Sequence, residues 1–163
     1  MPALARMRSL ALSFLALVCL TATLAVGTTA TAPAADAAFS RPMAVSRAVS
    51  IARNHIGAPY RYGATGPSAF DCSGLVYFSY RKAGFSHIPR TSGAQAHFAR
   101  HIRRANMRVG DLIFFTDGGG VYHVGIFVGR RNGRVLVLHA PYGGTRVRVD
   151  RMWTNSWFPG SLR

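Results

Sequence analysis

The chain has 163 residues, twenty lysines and arginines against five acids, a formal charge of +15, and 49% hydrophobic residues. So apolar a composition excludes a disordered polyelectrolyte, and the length suits a single domain. With 2 cysteines it cannot be a disulfide-stapled scaffold.

The first residues read as an export signal. Arg6 and Arg8 precede an uncharged, apolar or small run over residues 9–26, and Ala35-Asp36-Ala37 has the small-x-small form of a signal-peptidase site. Residues 1–37 are expected to be a secretory signal peptide, leaving one domain, residues 38–163. An uncleaved anchor would need a longer span than residues 9–26 comfortably supply. Loss of Arg6, Arg8 and Asp36 lowers the charge from +15 to +14. An exported protein this basic is expected to gather on anionic wall polymers or lipids. Nucleic acid would fit the charge, but export and the scattering of the arginines argue against it. Cys19 departs with the signal, so Cys72 remains alone and no intramolecular disulfide can form. A lone exported thiol is an intermolecular staple or a reactive group.

In the remaining chain, Val45, Ala48, Val49, Ala52 and Ile56 recur with helical spacing, and Pro42 and Gly57 suit a helix start and stop. A helix is predicted over residues 43–56. Residues 57–67 are dense in Gly and Pro and form an ordered loop carrying Tyr60 and Tyr62. A second helix is expected over residues 72–83, with Asp71 as N-cap and Gly84 as stop. Gly74 beside the cysteine costs helix propensity and implies close approach by another group. Thr91 or Ser92 caps a third helix to about His101, with His97 and His101 on one solvated face. Apolar, β-rich runs follow at residues 112–115, 121–128 and 135–139, with a last alternating strand at 145–149. Glycine-rich turns join them, which predicts an antiparallel meander. Helices first and strands later make the class α+β.

The candidate chemistry lies across the two halves. Cys72 at a helix start would meet the positive end of the helix dipole, which favours the thiolate. Beside an imidazolium its pKa is expected to fall below the usual value of about 8.5. His123 lies within an apolar strand and His139 ends the next. A hairpin turning at residues 129–133 would bring both to one end of the sheet. Cys72 as nucleophile, His123 as general base and His139 as the group orienting it form a nucleophile–base–orienter set. The N–H groups at the helix start and the Tyr60 hydroxyl are candidate oxyanion donors. The same three residues could ligate zinc, but structural zinc prefers four ligands. No metal or cofactor is expected.

Six blocks occur in unbroken order: Pro59-Tyr60-x-x-Gly63, Phe70-Asp71-Cys72-Ser73-Gly74-Leu75-Val76, Pro89-Arg90-Thr91-Ser92 with Gln95, Gly110-Asp111-Leu112-Ile113-Phe114-Phe115, His123-Val124-Gly125-Ile126-Phe127, and His139-Ala140. In these the chain resembles NlpC/P60 peptidases. The resemblance implies a papain-like α+β fold, with N-terminal helices packed on a C-terminal antiparallel sheet. It implies a Cys72–His123–His139 site with Tyr60 on the oxyanion side, and Asp71, Ser73 and Arg90 toward the substrate. It also implies hydrolysis of peptidoglycan stem peptides, typically between D-γ-glutamyl and a diamino acid. Ala64 departs from the pattern, standing where the family usually has a second glycine. The expectation is a secreted or wall-associated monomeric cysteine endopeptidase. Alternatives on the same fold are an N-acetylmuramoyl-L-alanine amidase, an acyltransferase, or a non-catalytic basic wall-binding protein.

Overall fold

The computed structural model describes residues 40–163; the expected signal peptide lies outside the described residues. Helix α1, Arg41–Arg53, follows Ser40 with Pro42 in its first turn, and buries Ala44, Val45, Ala48, Val49 and Ala52. These small residues let α1 lie close to helix α2, Cys72–Lys82. Asp71 caps α2 by accepting the Gly74 N–H at 2.6 Å. Helix α3, Ser92–Phe98, is capped by Thr91. It stops short of the expected His101. Ala99 is already extended, and residues 100–101 form strand β1, Arg100–His101.

The sheet contains β1, β2 (Leu112–Thr116), β3 (Val121–Arg131), β4 (Arg134–His139), β5 (Arg148–Arg151) and β6 (Trp157–Ser161). Its order is β1-β6-β2-β3-β4-β5, and every pairing is antiparallel. The class is α+β, three helices packed on one antiparallel sheet, as the residue pattern implies. Two details differ. Residues 145–147 do not pair with β4. Thr145 and Val147 instead bond to Tyr60 and Ala58, with Tyr60 N–H donating to Thr145 O at 2.9 Å and Val147 N–H to Ala58 O at 2.8 Å. They hold the loop after α1, and pairing with β4 begins at Arg148. Strand β6 was not anticipated, and it joins β1 to β2.

Alternation along β3 divides the core. Val124, Ile126 and Val128 pack with the helices, along with Leu112, Phe114 and Leu138. Phe127 packs with Ile113, Phe115, Val135, Val137 and Trp157 on the other face. The turn before β2 is fixed by Asp111, whose carboxylate takes the Arg108 N–H and pairs with Arg163 at 2.5 Å. Among the described residues no helix is long and apolar enough to cross a membrane.

Candidate active site

The start of α2 is held by the loop beside it. Asp71 N–H donates to the Ala64 carbonyl at 3.0 Å, and Gly63 N–H donates to Asp71 Oδ2 at 2.9 Å. A Cβ on Gly74 would stand 2.0 Å from Ala64 O, so the group expected to approach this glycine is the Ala64 carbonyl. Ala64 is absent from the described residues with positive φ, so alanine sits there without the strain that would demand a second glycine. The same loop presents Tyr60 to the site, while Tyr62 is 89% exposed and does not line the cleft.

Tyr60, Cys72, His123 and His139 line one cleft of about 650 Å3, with Tyr122, Tyr142 and Trp153 at its aromatic parts and Arg148 and Asp150 alongside. The hairpin of β3 and β4 turns between Arg131 and Arg134 and aligns Ile126 with Leu138. It thereby brings His123 Nε2 to 2.8 Å from His139 Nδ1. Gly125 makes room for this: a Cβ there would lie 2.3 Å from Val137 Cγ1 and 3.2 Å from His139 Cβ. His139 Nε2 in turn lies 3.0 Å from Asp150 Oδ2, which also accepts from Arg148 Nε at 2.8 Å. Trp153 stacks on His139 at 5.1 Å and on Phe115 at 4.7 Å, roofing the second imidazole.

Burial dominates the proton affinities. His123 is pushed down to about 3 by loss of solvent, with His139 adding to the effect. His139 is also lowered by burial, partly offset by Asp150. The Cys72 thiol moves opposite to the sequence expectation. Burial pushes it up, the Val124 N–H facing the sulfur opposes, and the Asp71 carboxylate adds to the rise. The cost of enclosing the sulfur and the nearby capping charge outweigh the helix dipole. Burial thus favours a neutral thiol and neutral imidazoles. Tyr60 is raised by burial and then by the neighbouring Cys72 and Asp71.

Asp71, Ser73 and Arg90 also come together, but largely around one another. Arg90 Nη1 meets Asp71 Oδ1 at 3.0 Å and Ser73 Oγ at 2.9 Å, and Nη2 meets Asp71 Oδ2 at 2.5 Å. Asp71 and Ser73 are buried, and none of the three lines the cleft. Burial would raise the Asp71 pKa, but the Arg90 hydrogen bond and the Gly74 N–H outweigh it and hold the carboxyl below its usual range. Gln95 fastens α3 to this cluster through bonds from Nε2 to the carbonyls of Ser73, at 3.0 Å, and Pro89, at 2.9 Å. His97 is exposed, and His101 packs on Phe158 with ring centroids 4.6 Å apart.

Asp150, Arg148 and Trp153 were not singled out from sequence. The available signal was that Asp150 is one of only five acids and sits in an arginine-rich alternation.

The sequence model of the NlpC/P60 family matches residues 57–162. The chain belongs to the NlpC/P60 family. Its domain is 40% identical over 109 residues to the probable endopeptidase p60 of Listeria monocytogenes, an alignment covering 67% of this chain and 21% of that protein. It is 38% identical over 122 residues to the murein DD-endopeptidase MepH of Escherichia coli, covering 69% of this chain and 44% of that protein. The chain thus spans less than half the length of either relative. The NlpC/p60 domain of the peptidoglycan hydrolase SagA superposes with a TM-score of 0.63 at 32% identity, covering 72% of this chain and 98% of that one. RipD of Mycobacterium tuberculosis, described as a non-catalytic NlpC/p60 domain protein, shares the fold at 23% identity and TM-score 0.60, covering 74% of this chain and 98% of that one. The NlpC/P60 fold alone therefore does not establish catalysis, which depends on the side chains in the cleft.

Proposed function

We propose that this NlpC/P60 domain is a cysteine endopeptidase acting on peptidoglycan stem peptides. The observation that carries the reading is the cleft shared by Cys72, Tyr60 and the His123–His139 pair, joined at 2.8 Å. Cys72 Sγ attacks the scissile carbonyl carbon while its proton passes to His123. Burial opposes either charge alone, but this transfer creates both charges together, so that each offsets the other. The oxyanion is received by the N–H groups at the start of α2, whose first turn has no carbonyl partner within the helix, and by the Tyr60 hydroxyl. Collapse breaks the C–N bond, and His123 returns the proton to the leaving amine. Water, deprotonated by His123, then cleaves the acyl-thioester, releasing the acid and restoring the thiol.

The proposed bond is that between D-γ-glutamyl and the diamino acid; the name of MepH raises the DD cross-link as the competing choice. Asp71, Ser73 and Arg90 are proposed to meet the substrate from beside the cleft, through the partly exposed Arg90. Digestion of purified peptidoglycan by the wild type and Cys72→Ser, read by mass spectrometry, tests the assignment. New N-terminal diamino acids that vanish in Cys72→Ser support it, and free D-alanine-ended cross-link products point to the DD bond. Muramic acid ends freed of peptide indicate an amidase, newly joined amides an acyltransferase, and wall binding without products a binding protein. The protein is further proposed to be an exported monomer that acts at the wall after cleavage following Ala37, with anionic wall polymers as an accessory surface. N-terminal sequencing and sizing of secreted protein check both points.

A further inference from the structure

The imidazole pair does not end at His139. Strands β4 and β5 align His139 with Arg148, which places Asp150 two residues along on the same face. Its carboxylate has two side-chain partners, His139 Nε2 at 3.0 Å and Arg148 Nε at 2.8 Å, both on Oδ2. We infer that Asp150 is a positioning residue that sets the tautomer of His123 through His139. The inference rests on the reading of Cys72 and His123 as nucleophile and base.

An ionised carboxylate only accepts hydrogen bonds. Burial would raise the Asp150 pKa, but the bonds from Arg148 and His139 outweigh it and keep the group ionised. His139 must therefore carry its proton on Nε2. A neutral imidazole has one N–H, so His139 Nδ1 is bare and accepts. The 2.8 Å contact then requires the proton to sit on His123 Nε2. That leaves a lone pair on His123 Nδ1, the nitrogen free to take a proton from Cys72. Without the carboxylate, the heavy atoms equally permit the reverse arrangement, in which both protons move to Nδ1. His123 would then offer the thiol a proton instead of a lone pair. The carboxylate also steadies the chain when His123 becomes charged, because the imidazolium donates to His139 and His139 donates to Asp150. Arg148 holds the carboxylate in place, and Trp153 covers His139 from the cleft side.

The test reads imidazole 15N chemical shifts of labelled protein near neutral pH, together with turnover of purified peptidoglycan. In the wild type, both His123 and His139 are expected to carry the proton on Nε2. In Asp150→Ala the pattern is expected to become mixed at both rings, with kcat falling by roughly 10²-fold and KM little changed. Asp150→Asn, of the same size and still able to accept from Nε2, is expected to restore much of both. A wild-type His123 protonated on Nδ1 overturns the inference, and this readout decides the matter even if Asp150→Ala does not fold. A variant that loses rate with wild-type tautomers also overturns it, because Asp150 would then be only structural. Tautomers are read without substrate. A protein with the expected tautomers and no hydrolysis therefore sinks the peptidase reading and leaves the relay standing, and active protein with the opposite tautomers does the reverse.

Discussion

Gly74→Ala sets two local effects against each other. Alanine in a helix interior is favoured over glycine by about 1 kcal/mol. At this position the added methyl would stand 2.0 Å from the Ala64 oxygen and 2.9 Å from Asp71 Oδ1, whereas ordinary contact begins at 3.4 Å. The obstacle is backbone, and it must retreat by more than 1 Å. Overpacking of this kind costs about 1–3 kcal/mol, and a rigid backbone obstacle belongs at the upper end. The retreating carbonyl also accepts the Asp71 N–H at 3.0 Å, a bond worth about 1 kcal/mol. The contact therefore wins, by about 3 kcal/mol, and the melting temperature should fall by roughly 10 °C. Thermal and urea unfolding of the two proteins measure this directly. A Gly74→Ala protein as stable as its parent would refute the reasoning, because the Ala64 loop would then be yielding at no cost. Since that loop also carries Tyr60, hydrolysis should drop more steeply than the folded fraction.

The buried charges make pH predictions of defined sign. Asp71 has a lowered folded pKa, so its contribution is present above the unfolded carboxyl range near pH 4 and lost as pH falls through the folded value. The urea midpoint gap between wild type and Asp71→Asn should be wide at pH 7 and close toward pH 2; a gap independent of pH would count against the Arg90 pairing. His123 works through its neutral form. The unfolded ring takes a proton below about pH 6.5 and the folded ring only near 3, so wild-type stability falls as pH drops through that window, by up to about 1.4 kcal/mol per unit. His123→Asn should flatten this slope, and unfolding curves at pH 7, 5.5 and 4.5 would reveal a slope left intact. Tyr60→Phe should lower kcat about 10²-fold with KM nearly unchanged, the loss typical of one oxyanion donor; an unchanged kcat in steady-state assays would remove Tyr60 from that role.

Where local chemistry decides the outcome, the residues announced it. The Asp71 cap and Gly84 stop bound α2, and the alternation of β3 with a turn at residues 129–133 was enough to pair His123 with His139. Where distant packing decides, they did not. Strand β6 contains Pro159 and Gly160, which argue against a strand when read locally. A Cβ at residue 160 would sit 2.7 Å from Ala99 Cβ and 2.9 Å from Phe114 Cε2, so the glycine is demanded by neighbours far away in the chain. Helix α3 ends early for a related reason, since Arg100 and His101 are taken up by Ser161 and Gly160. Asp150 was illegible because its meaning comes from the β4–β5 register and not from any motif. The thiol shift was misjudged because enclosure is a property of the whole cleft.

Three of the four carboxylates among the described residues, Asp71, Asp111 and Asp150, are locked in pairs with Arg90, Arg163 and Arg148. Only Asp117, in the hairpin loop before β3, remains outside such a pair, accepting the Gly119 N–H. Among the described residues the positive charge is consequently carried mostly by arginines with no acidic partner, and little anionic surface is left. The field of such a surface reaches only roughly the 8 Å Debye length of physiological salt, so any anion it attracts is held less tightly as ionic strength rises.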